Sequence, residues 1–197
     1  MIRKFMLAYA LLIVSVGSQA YATEPAELIR VTSEELLGKF TANRASYEVD
    51  RQSLYDMVRS VAIPHFNFDR MTKIVLGKHY ADATEKQRKQ FADEFQTLLL
   101  RTYSQALFQY SGEKIKYIPA VPYRNDVIVR AEIDVDAAVP VRLEYFLGKK
   151  DDDWKVFDVR IDGISLVTTF RKSYNTAISR NGLPVLIADL KKKNSIQ

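Results

Sequence analysis

Two histidines, one run of three aspartates and one run of three lysines are the side chains whose types and spacing first suggest chemistry in this chain. His65 stands between Pro64 and Phe66. As a general base it needs a nucleophile or carboxylate partner in space, and Asp69 is the near candidate. Its apolar neighbours favour a partly buried histidine in a helix-entry turn. His79, between Lys78 and Tyr80, reads as a surface residue. A second acid/base pair can be drawn between Tyr145 and Asp158. Asp151–Asp152–Asp153 lacks the alternating ligands, glycine and distal glutamate of a calcium loop, and reads as a charged hairpin turn. Lys191–Lys192–Lys193 suits a helix C-terminus, where the macrodipole favours cations. Glu94 falls on the polar side of a long helix. No nucleophile constellation emerges, so the residues give no positive reason to expect an enzyme.

Whole classes of chemistry are absent. The chain of 197 residues has no cysteine, which excludes a disulfide framework, a thiolate metal site and a thiol nucleophile. Its closest glycines, Gly148 and Gly163, are too far apart for a GxxxxGK or GxGxxG phosphate loop. Neither a cofactor nor a metal is expected. The formal charge is +5, falling to +3 without Arg3 and Lys4 of the expected leader, which is too mild for the basic patch of a nucleic-acid binder.

The N-terminus reads as an export leader. Arg3 and Lys4 precede an apolar stretch from Phe5 to Val16, and Ala20–Tyr21–Ala22 is an A-x-A cleavage site. The apolar run is shorter than the ~20 residues of a membrane span. Residues 1–22 are therefore expected to be a signal peptide cleaved after Ala22, and 23–197 a single domain. Loss of Arg3 and Lys4 lowers the charge from +5 to +3. Export without cysteine suits a bacterial periplasm.

The elements that must position any site change period halfway along. Residues 25–41 carry a helical stripe, and Asp50 can cap a second helix ended by Pro64. A third, short helix starts at Asn67 or Asp69 and ends at Gly77. Thr84 and Gln87 form a capping box for a long helix over 85–111. Its stripe of Phe91, Phe95, Leu98, Leu99 and Tyr103 is expected to face a sheet. Strands follow at 114–119, 127–135, 141–147 and 154–161, the middle two with clear alternation. Val129, Ile133, Val141, Leu143 and Tyr145 should form one apolar surface towards the helices. Helices return over roughly 165–180 and 184–193. This order predicts an α+β fold, with helices packed on one face of a curved, mainly antiparallel four-stranded sheet.

Large apolar side chains are abundant in both halves. Composition alone does not separate a solid core from one that holds a greasy ligand. A family resemblance bears on that choice. The run Phe66–Asn67–Phe68–Asp69–Arg70–Met71–Thr72–Lys73–Ile74–Val75–Leu76–Gly77 resembles a signature of the MlaC family of periplasmic phospholipid carriers, also called toluene-tolerance proteins. Gln87, Phe91, Phe95, Leu98, Leu99, Thr102, Tyr103, Ala106 and Leu107 match that family's long-helix spacing. Trp154 to Val159, Gly163 to Val167, and Phe170–Arg171 resemble its C-terminal block. Tyr80 stands where a tryptophan is usual, and Phe170 and Tyr174 are exchanged; these aromatic swaps bear on pocket shape.

The resemblance implies a soluble, monomeric shuttle that maintains outer-membrane lipid asymmetry. Its partners would be phospholipid, an outer-membrane lipoprotein–porin complex and an inner-membrane ABC transporter complex. The lipid tails would lie in an apolar pocket between sheet and helices. The residues expected to line it are Phe68, Met71, Val75, Phe95, Leu98, Leu99, Tyr103, Val129, Ile133, Val141, Leu143, Tyr145, Leu147, Ile164, Leu166 and Phe170. Two other readings stay open: a pocket-fold isomerase or dehydratase, and a periplasmic adaptor with a solid core.

Overall fold

A computed structural model of the chain describes residues 24–135 and 139–196. The expected leader and its cleavage site after Ala22 lie outside the described residues.

Helix α1 spans Pro25–Val49. Proline opens it where a missing N–H costs nothing. It runs past the expected end because a kink at Asn43 (φ −126°, ψ 16°) interrupts it without ending it. There the Asn43 side chain donates to the Lys39 carbonyl at 3.1 Å, a local bond that competes with the helix ladder. The Asp50 carboxylate accepts from the amides of Gln52 and Ser53 and starts α2 (Arg51–Ala62). A 3-10 turn over Ile63–His65 leads to α3 (Phe68–Leu76), capped by Asn67. Gly77 stops α3 at φ +53°, and a Cβ there would lie 3.0 Å from the Arg171 guanidinium. Helix α4 (Glu85–Ser104) begins with the expected Thr84/Gln87 capping box. It gives way to a 3-10 turn over Gln105–Gln109 earlier than its apolar stripe suggested.

Among the described residues, five antiparallel strands follow in spatial order β1-β2-β3-β4-β5. They are β1 (Lys114–Tyr123), β2 (Asp126–Asp134), β3 (Val141–Lys150), β4 (Asp153–Ile161) and β5 (Ile164–Ser165). The expected four become five because β5, only two residues long, folds back on β4 across Gly163. It is too short to show a period. Asp151 and Asp152 take φ of +51° and +65° in the β3–β4 hairpin, so the aspartate run is a turn. Bulges between Ile118 and Val121 and at the Phe146/Leu147 pairing bend the sheet. Ser165 then caps α5 (Leu166–Asn181), and α6 (Leu183–Ile196) ends the chain.

Helices meet the sheet from both sides. Ile128, Phe146 and Phe157 join one large apolar cluster with Met71, Val75 and Val167 of α3 and α5. Phe91, Phe95, Leu98 and Leu99 of α4 and Leu183, Leu186, Ile187 and Leu190 of α6 complete that cluster. The α4 stripe does not face the sheet as expected. Its neighbours are α6, α3 and α2, so α3 and α5 lie between it and the strands. On the other face, Ile29 of α1 packs with Val129, Leu147 and Val156. Farther along α1, Phe40 and Tyr47 pack with Leu54, Tyr55 and Val58 of α2 and Leu100 of α4. Helix α1 is therefore a beam between the sheet and a separate helical cluster. Among the described residues no helix is long and apolar enough to cross a membrane.

Candidate functional site

The register of the sheet builds the site. Val129 pairs with Tyr145 and Tyr145 with Val159; Ala131 pairs with Leu143 and Leu143 with Ile161; Ile133 pairs with Val141. Tyr117 and Ile115 of β1 extend the last two rows through Ala131 and Ile133. All these side chains share the face under α1, because residues paired across a ladder point the same way. The rows nearest α1's start, with Val129, Leu147 and Val156, are closed. Beyond them Ala131 is buried, but Ile115, Ile133, Val141, Leu143 and Ile161 are only half-buried and, among the described residues, belong to none of the packed clusters. These half-exposed rows make an apolar seam on the α1 face of the sheet. Leu36, Ala62, Ile63 and Leu107 are likewise half-buried, on the edge of the helical cluster.

One polar spot interrupts the seam. The Tyr145 hydroxyl is pushed up to about 12, first by burial and then by neighbouring Tyr117, with Ser33 of α1 pulling the other way. Burial also raises Tyr117, and Ser33 again opposes. Both phenols are thus protonated donors at neutral pH. The Tyr117 hydroxyl is buried without a hydrogen-bond partner of ordinary geometry.

The opposite face has a different character at the same end. Arg130 donates to Glu144 at 2.9 Å, and Arg160 and Arg142 reach Glu144 and Glu132 at 3.9 and 4.0 Å. Arg130, Glu132, Arg142 and Glu144 border an open cavity of about 490 Å³ whose lining also includes Ile118, Ala131, Val139, Pro140 and Leu143. The charged part of that lining is a poor surface for hydrocarbon, since burying it against a tail strips water from charges.

The candidate acid/base pairs do not assemble. Asp69 is exposed and holds Lys150 at 2.7 Å. His65 is half-buried, and burial, with Lys155 adding to it, draws its pKa below the ordinary value. Asp158 pairs across from Phe146, on the face opposite Tyr145. It accepts from Ser165 Oγ at 2.7 Å and from the Val167 amide at 3.2 Å, so its work is to hold the start of α5. Burial raises its pKa, with those hydrogen bonds opposing. Among the described residues no three metal-ligating side chains converge.

Comparison with known proteins bears on what such a seam is for. The model of the MlaC protein family matches residues 30–192. The chain belongs to the MlaC family. Among relatives, it is 26% identical over 179 residues to the intermembrane phospholipid transport system binding protein MlaC of Haemophilus influenzae, covering 88% of this chain and 83% of that one. It is 29% identical over 165 residues to the toluene tolerance protein ttg2D of Pseudomonas putida, covering 82% and 76%. A phospholipid-binding protein from Ralstonia solanacearum, solved in complex with a phospholipid, superposes with a TM-score of 0.79 at 27% identity, covering 87% of this chain and 97% of that one.

Within this MlaC-family chain, the residues expected to line a pocket fall into two compartments. Met71, Val75, Phe95, Leu98 and Leu99 are buried in the α3–α6 cluster, with Phe68 and Phe170 packed against it. Val129, Ile133, Val141, Leu143, Tyr145 and Leu147 share the α1 face of the sheet, as their alternation predicted. Tyr103 is exposed at the end of α4, Ile164 is 65% exposed in β5, and Leu166 is half-buried at the start of α5. The sequence reading missed Ser33, Tyr117, Ile115 and Ile161. The β1 pair could have been found by extending the alternation of β2 outward, but Ser33 had no local signal.

Proposed function

We propose that this chain is a periplasmic phospholipid carrier, acting as a monomer between an outer-membrane lipoprotein–porin complex and an inner-membrane ABC transporter complex, and so maintaining outer-membrane lipid asymmetry. The observation that carries the reading is the likeness, over most of the chain, to a protein solved with phospholipid bound. The family and the relatives named for phospholipid transport and toluene tolerance support it. A leader at residues 1–22, read from the sequence, supports the compartment.

The seam supplies what such a job demands. Two acyl chains hold about 30 methylenes, and exposing them costs on the order of 24 kcal/mol at about 0.8 kcal/mol each. A carrier must cover that surface yet release it, so it needs apolar side chains that are not already packed against one another. Ile133, Val141 and Leu143 meet that condition, and they are the residues assigned here to the tails. No catalytic group is required.

The test is direct. Purified protein is extracted with organic solvent and the extract analysed by mass spectrometry. Co-purifying phospholipid in near-stoichiometric amount is the expected result. An empty extract, together with failure to take lipid from labelled vesicles, would overturn the carrier reading.

A further inference from the structure

We propose that Tyr117 and Tyr145 form a hydrogen-bonding subsite for the ester carbonyls of a diacyl glycerophospholipid. The inference rests on the carrier reading and goes beyond it by assigning the part of the lipid that is fixed in place.

The sheet geometry brings the two rings together. Tyr117 pairs with Ala131, and Tyr145 pairs with Val129 on the other side of the same strand, so both rings stand on the α1 face in adjacent rows. They mark the boundary between the closed rows at Val129 and Leu147 and the loosely covered rows at Leu143 and Val141. The Tyr117 hydroxyl is buried and, among the described residues, has no hydrogen bond of ordinary geometry, with Ser33 of α1 close enough to act on it. A donor in that condition forfeits its water without recompense. A protein needing only apolar packing there is served better by phenylalanine. The hydroxyl makes sense when the cargo brings an acceptor.

A diacyl lipid carries such acceptors at one place along its length. Its tails have none, and its phosphate belongs in water. The ester carbonyls sit where the tails begin. The phenols donate; an ordinary phenol is already protonated at neutral pH and burial only raises both further, so the contact is insensitive to pH across the neutral range. Neutral donors also hold loosely enough for delivery, unlike a cation clamped on phosphate.

The experiment compares two lipids that differ only at this point. Delipidated protein is mixed with vesicles containing equal parts of dipalmitoyl phosphatidylethanolamine and its dihexadecyl ether analogue, which lacks both carbonyls. The bound lipids are then weighed by mass spectrometry. The parent should favour the ester lipid by roughly two- to tenfold, the range of one or two net hydrogen bonds. Tyr117→Phe and Tyr145→Phe should bring the ratio towards that of the vesicles while total bound lipid stays substantial. Melting of delipidated Tyr117→Phe should hold or rise, since it loses a buried hydroxyl that has no hydrogen bond of ordinary geometry. Equal binding of the two lipids by the parent would overturn the subsite and leave the carrier reading intact. An ester preference that persists in both phenylalanine variants would also overturn it. Failure of the parent to bind either lipid would overturn the carrier reading itself.

Discussion

The two faces of one sheet show opposite ways of using apolar side chains. On the α3/α5 side, Phe146 and Phe157 are buried in a cluster that continues through two layers of helix. Aromatic rings interlock there: Phe95 meets Phe170 edge-on at 5.1 Å, and Tyr123 meets Phe146 at 5.3 Å. Arg70 pins the corner. Its guanidinium donates to both oxygens of Asp126 at 2.8 and 2.7 Å and lies 3.5 Å above the Phe157 ring. It fills the space over Gly148, where any side chain would collide with it. On the α1 side, the neighbouring residues of the same strands are packed at one end and left half-buried at the other. Alternation along a strand therefore fixes which residues share a face. The element laid over that face decides whether they become core or binding surface.

The largest effect should come from the packed side. Phe95→Ala removes a fully buried ring from the α3–α6 cluster and should cost about 3–5 kcal/mol in denaturant unfolding. A loss below about 1 kcal/mol would mean that this side, too, is loosely filled. Next, Gly148→Ala should dislodge Arg70 from Asp126 and Phe157 and cost about 1–2 kcal/mol. Combined with Arg70→Met, the loss should be smaller than the sum of the two, because both act on one contact. Additive losses would show that Gly148 serves another purpose.

The comparison sharpens when one substitution is made on each face. Val75→Trp overpacks a buried site and should destabilise the delipidated protein by about 1–3 kcal/mol or more. Val141→Trp enters the loosely covered seam. Melting without lipid should stay within about 1 kcal/mol of the parent while co-purifying lipid falls. Destabilisation with lipid content unchanged would remove Val141 from the site.

The smallest effect concerns His65, which borders the α1 side. Its folded pKa lies below the ordinary value of 6.5, chiefly through burial. The neutral ring thus contributes stability that is full above that ordinary value and is lost as pH falls through the lower folded one. His65→Gln should flatten the decline in urea midpoint between about pH 7 and pH 5. Lipid transfer should stay near that of the parent. A collapse of transfer in the folded variant would reopen a chemical role for the histidine.

Much of this architecture is legible in local residues. Thr84 and Gln87, Asp50 and Asn67 announce helix starts because capping is a short-range bond. Val129 to Tyr145 announce a shared face because the strand period is fixed. What lies over what is not local. The apolar stripe of α4 is equally compatible with a sheet or with other helices, so its spacing does not reveal that Phe95 sits in the helical cluster while Val141 stands on the α1 face of the sheet. The α1 face was also harder to read because its cover comes from a helix about 100 residues away in sequence, carrying only weak amphipathicity. Ser33 has meaning only beside Tyr117 and Tyr145.

That separation has a consequence for assembly of the chain. Ile29 is made first, yet its partners Val129, Leu147 and Val156 come 100 or more residues later. Closing so long a loop must precede any reward from the contact. The earliest helix is thus committed to the sheet only after β2, β3 and β4 exist. The rest of the protein can build its core behind α3 and α5 in the meantime. Only the first turns of α1, around Ile29, wait on the strands, because Phe40 and Tyr47 farther along are buried with α2 and α4; that leading end can yield without unravelling what lies on the other side of the strands.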